Sequence, residues 1–152
     1  MQSLGIPIHR GYYVEDLRTL DLGWWPEREC NAAFLVLSGQ EGKSEARVTE
    51  IPPGKTLPAT KFALDEIVYV VDGRGLATIR AGADTRPVTF EWQKRSMFLL
   101  PRNCATQLSN VQGNIPVRLL HYNLLPMAMT ITPDAGFFFD NPYTDPSVLG
   151  ED

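Results

Sequence analysis

Apolar residues in this chain recur at every second position or in short unbroken runs, a strand period rather than a helical one. Glu45–Ile51 (EARVTEI) alternates polar and apolar side chains and ends at Pro52-Pro53-Gly54, a hard turn. Glu66–Val71 (EIVYVV) is an unbroken run of β-formers closed by Asp72-Gly73, which reads as a hairpin signal. Ala33–Leu37, Leu76–Arg80, Pro87–Trp92, Ser96–Leu100 and Val117–Leu125 complete the strong set, with weaker runs near Gln107 and Thr130. About seven to nine short strands with turn residues between them predict an antiparallel sandwich or barrel. Such a fold must hide its sheet edges, and a double-sheet jelly roll does so.

The length, 152 residues, sets the expectation of one domain around one core. A hydrophobic fraction of 43% is enough to build that core and too high for a disordered chain. The 12 glycines and 12 prolines punctuate the chain without forming a repeat. With a net charge of −4 there is no electrostatic footprint for nucleic acid or an anionic membrane. No apolar stretch approaches the length of a membrane span, and MQSLGIPIHRGYY lacks the apolar centre of a signal peptide. Two cysteines, Cys30 and Cys104, are too few for a disulfide framework. A reduced, cytoplasmic chain is the expectation.

Two stretches stand apart from the strands. Residues 1–30 carry Tyr12-Tyr13 and Trp24-Trp25 among charges, and residues 131–152 carry Phe137, Phe138 and Phe139 in a row. We expect them to be arms flanking a barrel of residues 31–130. Large aromatics outside a core must be covered, by the barrel itself or by another chain. Trp24, Trp25 and Phe137–Phe139 are therefore the candidate interface residues, because aromatics bury much area with few rotatable bonds.

Residues 54–110 resemble the cupin family in spacing. The first cupin motif, G-x5-H-x-H-x3-E-x6-G, corresponds to Gly54, Thr60, Phe62, Glu66 and Gly73. The second, G-x5-P-x-G-x2-H-x3-N, corresponds to Arg95, Pro101, Asn103, Thr106 and Asn110. The resemblance implies an all-β cupin-type jelly-roll barrel. It also implies that Thr60, Phe62, Glu66 and Thr106 stand where cupins hold three histidines and a glutamate around a transition metal. Phenylalanine has no ligand atom, and threonine hydroxyls are poor ligands for such ions. The chain has two histidines, His9 and His121, and neither falls in the motif. No metal is expected in this chain. Glu66 reads either as a satisfied interior carboxylate, bonded to Tyr69, Arg47 or His121, or as a general base with a raised pKa. Cys104 reads as a plain buried thiol.

Tyr13–Leu20, Asn31–Phe34, Glu50–Gly54 and Phe139–Tyr143 also resemble segments of the N-terminal half of two-cupin proteins, and the chain stops about where a second cupin would begin. By architecture it is similar to the small-subunit family of two-subunit hydroquinone 1,2-dioxygenases. That likeness implies a larger cupin partner carrying Fe(II), with this chain structural and pocket-shaping, cofactor-free and inactive alone. Homodimer contacts are compatible with it. Two other readings stand beside it. One is a metal-independent lyase or isomerase using Glu66 and His121, with Tyr69 or Arg47 orienting the substrate; it requires both groups to face one cavity that Phe62 and Phe98 leave open. The other is a non-catalytic ligand-binding barrel; sensor cupins of that kind come with a helical DNA-binding module, and no such pattern is visible here.

Overall fold

The computed structural model describes residues 5–39, 44–82 and 85–124. Eleven strands form two sheets: β1 (Ile8–Gly11), β2 (Gly23–Trp25), β3 (Cys30–Leu37), β4 (Glu45–Ile51), β5 (Thr60–Lys61), β6 (Glu66–Asp72), β7 (Arg74–Arg80), β8 (Val88–Gln93), β9 (Met97–Leu100), β10 (Ala105–Asn110) and β11 (Val117–Asn123). The larger sheet runs β1-β3-β4-β11-β6-β9, with β2 also on β3, and the smaller runs β5-β10-β7-β8. The strong runs of the sequence all became strands, and the weak run near Gln107 is β10. The run near Thr130 and Phe137–Phe139 lie outside the described residues.

Inward side chains of both sheets form one core of Ile51, Val68, Val70, Ala77, Ile79, Trp92, Leu108, Val117 and Leu119. Phe98 stacks on Trp92 at 5.9 Å and meets Phe90 edge-on at 5.3 Å. Such aromatic pairs add to area burial. Asn110 ties the closing loops together: its side-chain amide donates to the carbonyls of Ile51, Pro52 and Ile115, and its Oδ1 accepts from the Gln112 amide.

Two expectations change. The Asp72-Gly73 turn is not a hairpin between paired strands. β6 pairs with β11 and β9, whereas β7 pairs with β10 and β8, so the turn carries the chain from one sheet to the other. Gly73 takes φ +95°, and an added Cβ would meet the Val117 side chain at 2.7 Å. Neither the backbone nor the space admits a side chain, so this glycine serves a corner. The first thirty residues, set apart as an arm, contribute two strands: β1 runs parallel to β3 and β2 antiparallel to it. Ile6 is fully buried in a second apolar cluster with Ala32 and Phe34, against which Ile8 and Trp25 pack. The alternation in this stretch is too short to register as a strand period.

The turn frame is kept in backbone conformation even where its residues changed. Gly54 and Gly73 have φ +67° and +95°, and Arg95 and Asn103, which replace motif glycines, have φ +75° and +59°. A left-handed backbone costs a side-chain-bearing residue about 1–2 kcal/mol, so the surrounding fold imposes it.

Candidate functional site

One end of the barrel is apolar and the other is not. On β4, Arg47, Thr49 and Ile51 point inward opposite His121, Leu119 and Val117 of β11. On β6, the inward series Glu66, Val68 and Val70 is buried while its neighbours Ile67 and Tyr69 are exposed. The period of two thus places Arg47, Glu66, His121 and Asn123 together at one end. A cavity of about 270 Å³ opens there. Thr60, Phe62, Glu66 and Thr106, the four positions taken from the motif, all line it, with Trp25, Phe34, Arg28, Arg47, Lys61 and Cys104 among the other wall residues.

Glu66 is fully engaged. Its Oε1 accepts from Arg47 Nη2 at 2.9 Å and His121 Nδ1 at 2.8 Å, and its Oε2 accepts from Arg47 Nη1 and Asn123 Nδ2, both at 2.8 Å. A carboxylate offers about four acceptor directions, and all are used. Burial by itself would raise the Glu66 pKa, but the Arg47 charge and these hydrogen bonds outweigh it and hold the carboxyl far below the usual range. For Arg47, burial opposes its charge, and the carboxylates of Glu66 and Glu45 more than restore it. Burial, then the Arg47 charge, push His121 below its ordinary pKa. The network assigns a neutral ring: Nδ1–H donates to Glu66, and Nε2 accepts from the Thr49 hydroxyl at 2.8 Å.

This geometry decides between the two roles open to Glu66. A general base needs a pKa near the working pH and a free lone pair, and Glu66 has neither. His121 is 3% exposed and is not part of the cavity wall; it stands behind Glu66 as a positioning group. Tyr69 points outward, on the opposite face of β6 from Glu66. Phe62 lines the cavity without filling it, and Phe98 lies in the core beyond.

The wall does not fit a transition metal. Across from Glu66, Thr60 Oγ1 and Thr106 Oγ1 lie 3.4 Å apart, and Thr106 also donates to the Thr60 carbonyl. Arg47 occupies the oxygens of Glu66 that would otherwise turn to a cation, and its own positive charge repels one. No three His, Cys, Asp or Glu side chains converge as a ligand set among the described residues. His9 is elsewhere, its Nε2 3.0 Å from the carbonyl oxygen of Asp21. Cys30 and Cys104 are buried and not joined in a disulfide, and burial pushes the Cys30 thiol up to about 11, which makes it inert.

The two candidate interface tryptophans part company. Trp24 is 49% exposed, whereas Trp25 turns into the cavity wall and tilts against Phe34 at 5.7 Å. Two further features escaped sequence reasoning. Arg28, at the end of a one-turn 3-10 helix (Pro26–Arg28), reaches the cavity. Nothing in the local pattern marks it. Also, Ile67, Tyr69, Met97, Leu99 and Tyr122 form an exposed apolar face on β11, β6 and the edge strand β9, with Ile67 opposite Leu99 and Tyr122, and Tyr69 opposite Met97. The unbroken runs EIVYVV and SMFLL carry that signal, because an antiparallel strand wetted on one face should alternate.

No protein-family model matches the sequence, and no curated protein matches it. Solved structures do. The cupin domain of Schizosaccharomyces pombe Cnp3 superposes with a TM-score of 0.57 at 22% identity, over 72% of this chain and 66% of that one. The Lactobacillus farciminis oxalate decarboxylase in its formate complex matches at 0.57 and 16% identity, over 87% of this chain and 36% of the decarboxylase. A putative ethanolamine utilization protein Q of Salmonella typhimurium matches at 0.56 and 18%, over 73% of this chain and 84% of that one. This chain thus spans about two-thirds of the yeast domain and about a third of the decarboxylase. At these identities the likeness establishes the fold, a cupin-type jelly roll. No helix among the described residues is long and apolar enough to cross a membrane.

Proposed function

We propose that this chain is a metal-less cupin subunit that works by assembling with a larger, Fe(II)-bearing cupin chain of an aromatic ring-cleaving dioxygenase of the hydroquinone 1,2-dioxygenase type. Its role there is to support and shape the partner's pocket; it supplies no metal. The observation that carries the reading is Glu66, the one metal-ligand type kept from the motif, locked by Arg47, His121 and Asn123 into a structural network. A barrel that has converted its metal position into internal scaffolding keeps the fold for something other than its own metal chemistry. The apolar face of Ile67, Tyr69, Met97, Leu99 and Tyr122 favours assembly, because it lies beside β9, which among the described residues ends its sheet, and a wetted face of that kind is an association surface. Exposed Trp24 is a second anchor.

The test is purification of the tagged full-length chain from its native source. We expect a larger cupin chain in stoichiometric amount, iron in that complex, hydroquinone cleavage by the complex and none by this chain alone. A lone chain that binds iron, that cleaves hydroquinone, or that purifies as a monomer with no cupin partner would overturn the proposal.

A further inference from the structure

The cavity that the lost metal site left behind has a charge imbalance that the scaffold itself does not use. Three cations, Arg28, Arg47 and Lys61, and two carboxylates, Glu45 and Glu66, line it. Both carboxylates are taken by Arg47, at 3.1 and 2.8 Å. Arg28 and Lys61 have no carboxylate partner among the described residues. The only hydrogen bond of the Arg28 guanidinium there is a long one, from Nη1 to the Pro58 carbonyl at 3.4 Å. Arg47 Nε is buried with no acceptor. Among the described residues, the cavity lining therefore carries one net positive charge and unused guanidinium donors.

Besides Thr60, Thr106 and Asn123, the rest of the wall is mostly apolar and largely aromatic, with Trp25, Phe34, Phe62, Leu64 and Leu100. The volume, about 270 Å³, equals roughly nine waters' share of liquid and suits one substituted ring. We infer that this cavity is a binding site for a small aromatic carboxylate, its ring against Trp25, Phe34 and Phe62 and its carboxylate on Arg28. A planar guanidinium takes a carboxylate through two parallel hydrogen bonds, and Lys61 adds a second, more mobile charge. Burial, and next the Arg47 charge, lower the Arg28 pKa, and an anion would relieve both. The site belongs to this chain alone and does not depend on the partner proposed above.

Calorimetric titration of the full-length chain with benzoate, benzamide and hydroquinone tests it. Benzoate should bind one per chain, and its two neutral counterparts about tenfold or more weakly, since a charge-assisted hydrogen bond is worth that much. Arg28→Gln should weaken benzoate several-fold more than it weakens benzamide, narrowing the gap between the two. Trp25→Phe should weaken benzoate and benzamide alike and diminish the fluorescence change on binding. Equal affinity for benzoate and benzamide, or no binding by either, overturns the inference without recourse to any variant. Benzoate affinity unaffected in a folded Arg28→Gln protein overturns it as well. None of these outcomes bears on whether a larger cupin co-purifies, so the two proposals fail separately.

Discussion

Replacing Arg47 by methionine tests the central claim about the site, that Glu66 is an ionised structural carboxylate. The substitution keeps the aliphatic stem and removes the charge that holds Glu66 through both oxygens. The side chains of Arg47 and Glu66 are 13% and 8% exposed, so water entering the cavity can replace the lost partner only in part. Breaking a buried pair from one side costs about 3–5 kcal/mol, because the remaining charge stays buried. For a domain of this length 1 kcal/mol lowers Tm by about 2–4 °C, so Arg47→Met should melt roughly 6–20 °C below the parent. His121 offers partial relief. Its pKa is held down by burial and then by Arg47, so it should rise in the variant, and the imidazole proton resonance titrates at higher pH. Glu66→Leu on top of Arg47→Met removes the stranded charge, and the double variant should be more stable than Arg47→Met alone, with a coupling of about 1–3 kcal/mol. Urea denaturation of the four proteins measures the cycle. Additive losses, or an Arg47→Met protein within about 0.5 kcal/mol of the parent, would refute the assignment.

Three other consequences are open to measurement. The folded pKa values of Glu66 and His121 both lie below their ordinary values of 4.5 and 6.5, so each group stabilises the fold above its ordinary pKa and loses that contribution as pH falls; stability should begin to decline below about pH 6.5, steepen below 4.5, and lose the second limb in Glu66→Gln, as followed by denaturation across pH. Thr60→His, Phe62→His and Thr106→His together should bind cobalt(II) more weakly than the same variant carrying Arg47→Met, as read from its visible absorption bands, because Arg47 holds Glu66 and repels a cation; equal affinities would show that Glu66 is free. Gly75→Ala should cost several kcal/mol of stability, because its Cβ would run into the Ser109 carbonyl and the Trp92 ring, whereas Met97→Asp, at a 71% exposed position, should leave stability within about 0.5 kcal/mol of the parent and weaken assembly with the proposed partner.

The strands and the four motif positions in the cavity were legible because both depend on local spacing. A period of two puts Glu66, Val68 and Val70 on one face whatever the rest of the chain does. Turn geometry was legible in part. The spacing matched Arg95 and Asn103 to motif glycines, and the backbone at both is left-handed although neither is a glycine. Sheet membership was not legible. Asp72-Gly73 carries the same residues whether it closes a hairpin or turns a corner, and only pairing with β10 and β11 decides it. Arg28 was invisible for a related reason: it lies outside the motif, and its place in the cavity follows from β2 pairing with β3, a contact no local pattern encodes.

The same distinction explains why one motif residue survives and the others do not. A histidine ligand released from a metal becomes a buried polar ring without a partner, which costs free energy unless another group meets it. Substitution by threonine or phenylalanine removes that cost, and Thr60 and Thr106 satisfy one another and the Thr60 carbonyl. Glutamate can be kept only if a cation stands where a metal would, and β4, on the same sheet as β6 with β11 between them, supplies one in Arg47. Arg47 then needs a neutral His121 beside it, since a second positive charge would oppose it, and Thr49 and Asn123 complete the set. Glu66 without Arg47 would be a stranded anion, and Arg47 without Glu66 would hold only Glu45. The pair therefore stands or falls together, a fixed internal ion pair around which this end of the barrel is built.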